Sequence, residues 1–130
     1  MFFDTNIIIK YLNNELEEEL LKVFKLNIIK KKALVSHIVI SEVLAFSGYT
    51  EIETKNIEKF LYENLKIVNS TRKIAVLAAS IIKTQKLQTG KRFKLTDAII
   101  AATAIAYNYE FLTFDKEDFK NIENLKLFYK

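Results

Sequence analysis

Cysteine, proline and tryptophan are absent from the sequence, and histidine occurs once. Without cysteine there is no disulfide framework and no thiolate metal site. One histidine and no cysteine argue against zinc. No apolar run is long enough to span a bilayer. The opening MFFDTN lacks the basic region and small-residue cleavage site of a signal peptide, so the expected compartment is the cytoplasm, with no membrane partner. No Pro/Gly/Ser-rich linker, low-complexity tract or internal repeat divides the chain. Aspartate is scarce as well, with four residues (Asp4, Asp97, Asp115 and Asp118) against twelve glutamates.

What remains is 130 residues, half of them hydrophobic, with a net charge of +4. That is the size of one domain, here residues 1–130, and enough apolar material for one sizeable core. The mild basicity suits a polyanionic partner without requiring one. Most glutamates read as solvated helix surface, as in ELEEELLK, whereas the aspartates stand at the edges of apolar stretches.

Short apolar runs alternate with amphipathic ones. Phe2 and Phe3 form a strand ending at Asp4, and Thr5 or Asn6 caps a helix to about Leu12. The spacing predicts helices over 15–32, over 38–47 closed by Gly48, over 51–64, from Ser70 or Thr71 to about Lys86, and over 96–109. Strands are expected at 33–36, 65–68, 111–114 and 125–129, with a short helix at 116–121. Such alternation indicates an α/β fold, a three-layer α/β/α sandwich around a mostly parallel central sheet. Sites in such sheets form beyond the carboxyl ends of strands, where strand order reverses. Asp4 and Asp115 each follow a strand.

Four acids stand in unusual company. Asp4 is flanked by phenylalanines and isoleucines. Glu42, in HIVISEVLAFSG, has Ile38, Val39, Ala45 and Phe46 as its neighbours three and four residues away on a helix, which aims it from the middle of a packing face. Asp97 opens an apolar, alanine-rich helix of the buried kind; its plain reading is that Thr96 caps the helix and Asp97 complements its dipole. In FLTFDKEDF, Thr113 and Asp115 share a face if the strand continues that far. Asp115 also suits a helix cap, and Asp118 ranks below the other three as a first-turn acid. If the four acids converge they repel one another, and a divalent cation relieves that repulsion. An all-carboxylate set suits a hard ion, Mg²⁺ or Mn²⁺. His37 reads as a helix-entry or packing residue.

The stretches FFDTNIII, VSHIVISEVL, LTDAIIAATA and FLTFDKEDF, taken together and in this order, resemble the PIN-domain ribonucleases, especially the compact VapC toxins of VapBC toxin–antitoxin pairs. The resemblance covers essentially the whole chain. It implies an acidic catalytic and metal-binding quartet at Asp4, Glu42, Asp97 and Asp115, with Asn6 and Thr113 orienting the carboxylates. It implies metal-dependent endoribonuclease activity leaving a 5′-phosphate and a 3′-hydroxyl, a homodimer, and a small antitoxin that blocks the cleft. The first strand is shorter than the family's usual one, and FDKEDF places an aspartate where a basic segment would otherwise lie.

For RNA, the loop TGKRFK supplies Lys91, Arg92 and Lys94 just ahead of Asp97, and Lys10 lies on the first helix near Asp4. Each reads singly as a solvated surface cation; as a group they suit backbone phosphates, with Phe93 stacking on a base of single-stranded or looped RNA. Three other readings stand beside this one. A PIN nuclease need not be a toxin. A PIN-like fold can serve as a non-catalytic RNA-binding module. A haloacid-dehalogenase-type phosphatase also carries an Asp after its first strand, but wants a second acid where Asn6 stands.

Overall fold

The computed structural model describes residues 1–129. In chain order the elements are β1 (Phe2–Phe3), α1 (Thr5–Leu12), α2 (Glu18–Ile29), β2 (Leu34–Ser36), α3 (His37–Leu44), α4 (Glu51–Asn64), β3 (Lys66–Val68), α5 (Arg72–Thr89), α6 (Leu95–Ala106), β4 (Glu110–Leu112), α7 (Lys116–Phe119) and β5 (Lys126–Leu127). The strands form one sheet in the order β3-β2-β1-β4-β5. Every pairing in it is parallel. Parallel neighbours require crossovers, and the crossover helices cover both faces of the sheet.

The shortest stretch explains the layering best. Phe2 and Phe3 point to opposite faces of the sheet, and both are fully buried. Phe3 meets Phe24 of α2, which meets Tyr11 of α1, which in turn stacks on Phe60 of α4. On the other face Phe2 meets Phe111 of β4, and Phe111 meets Phe119 of α7 edge-on. Each buried phenylalanine is worth about 2–3 kcal/mol of apolar transfer, so a two-residue strand is held by its side chains more than by its ladder.

β1 sits in the middle. The chain adds β2 and β3 on one side of it, then returns through α5 and α6 to add β4 and β5 on the other. Strand order therefore reverses between β1 and β4, which opens a crevice at their carboxyl ends.

Several boundaries differ from those expected. The cap of α1 is Asp4 itself, whose carboxylate accepts the Thr5 N–H, rather than Thr5 or Asn6. Ser36 at the end of β2 caps α3, so that helix starts at His37 and ends at Leu44, short of Ser47. Gly48, at φ +106°, belongs to the turn beyond it. The helix α5 runs past Lys86 to Thr89 and stops at Gly90, whose φ of +74° gives a left-handed C-cap. The helix α6 starts at Leu95 and ends at Ala106, not at Tyr109. Strand β4 stops at Leu112, two residues before Phe114.

Candidate active site

Asp4 continues β1 by donating its N–H to the Leu112 carbonyl at 3.0 Å, which fixes its backbone at the crevice. Its side chain is only 5% exposed. One carboxylate oxygen accepts the Thr5 N–H at 2.8 Å and the other accepts the Thr113 hydroxyl at 2.7 Å. Burial nevertheless pushes its pKa up to about 6, with the charges of Asp97 and Asp115 adding to the rise and the two hydrogen bonds opposing it.

Thr113 is the fully buried link between Asp4 and Asp115. While donating to Asp4, its hydroxyl oxygen accepts the Asp115 N–H at 3.0 Å. The strand has already ended, so Thr113 and Asp115 are set by this local side-chain-to-backbone turn and not by strand alternation. Asn6 fastens the same loop from α1. Its Nδ2 donates to Asp115 Oδ2 at 3.1 Å, and its Oδ1 accepts the Phe114 N–H at 3.3 Å. Asp115 is exposed and occupies the N-cap position of α7 without capping it.

Asp97 lies in the first turn of α6. Thr96 does not cap that helix; Lys94 holds the cap position and makes no side-chain capping bond. Burial raises the Asp97 pKa first of all, and the charges of Glu42, Asp115 and Asp118 raise it further, against the pull of Lys94. Asp97 is thus within electrostatic reach of each of the other three expected acids, Asp4, Glu42 and Asp115.

Glu42 arrives by a different route from the one expected. Because α3 ends at Leu44, Ala45 and Phe46 leave the helix and are exposed rather than walling Glu42 in. What holds it is Thr5, whose hydroxyl donates to Glu42 Oε1 at 2.5 Å. Thr5 was hidden by its role as a candidate cap: once Asp4 takes the cap, the neighbouring hydroxyl is free to reach α3. Asp118 lies closer to the other acids than its place in a first turn suggests. It lines the same cleft as Asp97 and Asp115 and acts on Asp97. Only the fold reveals this, since a first-turn acid on a surface helix is otherwise unremarkable.

That cleft, of about 510 Å³, is also lined by Lys91, Arg92 and Lys94, so the basic loop borders the acids. Lys10 lies on the α1 side, its ammonium 5.1 Å from the centre of the Phe114 ring. Phe93 is half-buried, lines the same cleft and packs edge-on against Phe119 at 5.7 Å, which anchors the loop. His37 is exposed beside Tyr62, consistent with a helix-entry residue.

Among the described residues, no lysine or arginine closes an ion pair on Asp4, Glu42, Asp97 or Asp115. Partly buried carboxylates that repel one another, with no cation between them, are a donor set suited to a hard divalent ion. Among the same residues no three acids close into a ready-made coordination shell. An ion here would keep part of its water shell, as Mg²⁺ commonly does.

The model of the PIN domain family matches residues 1–125. The chain belongs to the PIN-domain family. Members of this family are nucleases, which generally use divalent metal ions. Similar solved structures agree on the fold. VapBC2 from Rickettsia felis, solved bound to a DNA fragment from its promoter, aligns with a TM-score of 0.81 at 22% identity, over 98% of this chain and 96% of that one. A toxin–antitoxin complex from Klebsiella pneumoniae gives 0.73 at 25% identity, over 95% and 93%. FitAcB from Neisseria gonorrhoeae gives 0.76 at 20% identity, over 98% and 96%. No curated protein matches the chain. Among the described residues of this PIN domain, no helix is long and apolar enough to cross a membrane.

Proposed function

We propose that this PIN domain is a Mg²⁺- or Mn²⁺-dependent endoribonuclease and the toxin of a VapBC-type toxin–antitoxin pair. The observation that carries the reading is the convergence of Asp4, Asp97 and Asp115 at the carboxyl edge of the sheet, where the charges of Asp97 and Asp115 add to the raised pKa of Asp4 and no ion pair closes on any of the three. Asp4, Asp97 and Asp115 would hold the ion, with Glu42 as a further ligand. When bound, the ion supplies positive charge against the phosphate oxygens and acidifies water for hydrolysis of the phosphodiester.

The chain's own residues do the rest. Glu42, steadied by Thr5, is placed to orient an attacking water and accept its proton. Thr113 and Asn6 fix the carboxylates of Asp4 and Asp115, so little reorganisation is needed when substrate arrives. Lys91, Arg92 and Lys94 along the cleft, and Lys10 beyond it, provide cations for the backbone of single-stranded or looped RNA. A cognate antitoxin completes the reading, supported by the toxin–antitoxin assemblies to which the fold is similar, and a homodimer is the assembly that the family resemblance implies. The phosphatase alternative is disfavoured by Asn6, whose amide is committed to Asp115 and to the Phe114 N–H.

Purified protein incubated with RNA tests the proposal. Cleavage with Mg²⁺ or Mn²⁺, stopped by EDTA and lost in Asp4→Asn and Asp97→Asn proteins that remain folded, is the expected result. Metal-independent cleavage, or full activity in both variants, overturns it. Hydrolysis of a small phosphomonoester in place of RNA assigns phosphatase chemistry instead, and RNA binding without cleavage assigns a non-catalytic module.

A further inference from the structure

Phe114 is a large aromatic side chain left 38% exposed, immediately before Asp115 in the chain. A ring in that position is not a loop accident. Its backbone N–H is held by Asn6 Oδ1 at 3.3 Å, and the same Asn6 amide holds Asp115. Asn6 therefore anchors the backbone of Phe114 and the carboxylate of Asp115 together. Four residues along α1 from Asn6, on the same face of that helix, Lys10 places its ammonium 5.1 Å from the ring centre. With Lys10 over one face of the ring, the aromatic surface left exposed beside acids suited to phosphodiester chemistry is open to a base while the lysine reaches a phosphate. Phe93, by contrast, is half-buried and packed edge-on against Phe119 in the cleft that holds the basic loop. Neither Phe114 nor Lys10 lines the cleft that holds the basic loop, so they extend the surface on the α1 side of Asp115.

We propose that Phe114 is the base-stacking platform of this nuclease. It takes one unstacked base of a single-stranded RNA next to the phosphodiester at the acidic site, with Lys10 contacting an adjacent phosphate. The platform rests on the reading of RNA as substrate. Stacking on an aromatic ring is tolerant of base identity, so Phe114 sets the preference for single strands and the register of cleavage rather than the sequence cut.

The absence of tryptophan makes the test direct, because Phe114→Trp introduces the single indole of the chain. Binding is measured in EDTA on an Asp97→Asn background, which stops cleavage and removes one repelling charge. The probe is a labelled single-stranded RNA of about twelve nucleotides, within the usual range for one stacking surface. Phe114→Ala is expected to weaken binding by roughly tenfold. Phe114→Trp is expected to bind as the Phe114 protein does, with indole fluorescence quenched by the RNA. An abasic strand of equal length and charge is expected to bind weakly whatever stands at position 114, and not to quench. Since the ring is exposed, the variants are expected to keep the thermal midpoint of the parent. Equal binding by Phe114→Ala, or saturation of Phe114→Trp without quenching, overturns the platform while leaving the nuclease reading intact. Failure of the Phe114 protein itself to bind RNA, both in EDTA and with Mg²⁺ added, overturns both. Unchanged RNA binding by Phe114→Ala together with loss of a co-expressed protein partner assigns the ring to a protein surface, and also overturns the proposal.

Discussion

Asp4 and Glu53 are both acids paired with threonines and backbone amides, yet they sit in opposite electrostatic states. At the start of α4, Glu53 and Thr50 form a reciprocal capping box, with Thr50 N–H donating to Glu53 at 2.9 Å and Glu53 N–H to Thr50 at 3.1 Å. Those bonds pull the Glu53 pKa down, because the carboxylate remains in water. Asp4 also accepts two hydrogen bonds, but it is buried near two other acids, and its pKa rises to about 6. Hydrogen bonds alone do not settle a carboxylate; the water it has lost does. The capping acid is complete as it stands, whereas the site acid lacks a positive charge.

Replacing the site acids should give the largest effect. Asp97→Asn is expected to lower RNA cleavage by roughly a thousandfold while leaving circular dichroism unchanged, whereas Glu53→Gln should leave cleavage as it was. Comparable losses from both would erase the contrast.

The pH dependence of stability separates the two acids by sign. With a folded pKa near 6 against an ordinary 3.8, Asp4 binds protons more readily in the native state. Metal-free protein should therefore lose stability as pH rises from about 4 to about 6, by up to about 3 kcal/mol from this group. Above pH 6 that penalty is fully present. Added Mg²⁺ should then raise the thermal midpoint at pH 7 more than at pH 4.5. Glu53, with its pKa lowered, contributes in the other direction: its stabilisation is present above its ordinary pKa of 4.5 and is lost as pH falls through the folded value. Thermal melts across this range for wild type, Asp4→Asn and Glu53→Gln read both slopes, and a metal-free melt with no Asp4-dependent fall above pH 4 contradicts the assignment.

Thr113→Val tests the buried hydroxyl between Asp4 and Asp115. It should cost about 1–3 kcal/mol in denaturant unfolding, because two hydrogen-bonding groups lose a buried partner. It should also push the Asp4 pKa higher, since the bond removed is one that lowers it. Thr113→Ser should recover most of both. At the small end, Lys22→Ala removes the exposed i,i+4 partner of Glu18 at 3.4 Å and should shift stability by no more than about 0.5 kcal/mol.

The acids were legible in the sequence because a carboxylate inside an apolar run or at its edge is costly, and Asp4, Glu42 and Asp97 each break such a run. The sheet was legible for a related reason. Strands buried on both faces read as short unbroken apolar runs, as Phe2–Phe3 and Leu34–Val35 do. What the sequence hid were choices between equivalent hydrogen-bonding groups. Asp4, Thr5 and Asn6 are all competent caps, and only the position of β4 and α3 decides that Asp4 caps, Thr5 reaches Glu42 and Asn6 reaches the 113–115 loop. Element ends were hidden likewise. Ala45 to Ser47 is acceptable helix sequence, and nothing local shows that the chain there has left the core. Phe93 and Phe114 look alike in sequence, and packing against Phe119 alone separates them.

The contact between Asp4 and Thr113 joins residues 109 positions apart. During synthesis amino-terminal segments fold first as a rule, but here β1 is the central strand, and its pairing with β4 must wait until Leu112 has been made. A nascent chain still on the ribosome carries Asp4 and Glu42 without Asp97, Asp115 or the threonine that orients them. The acidic cleft is therefore assembled only once the chain has been extended past Asp115, so the order of synthesis itself withholds the site.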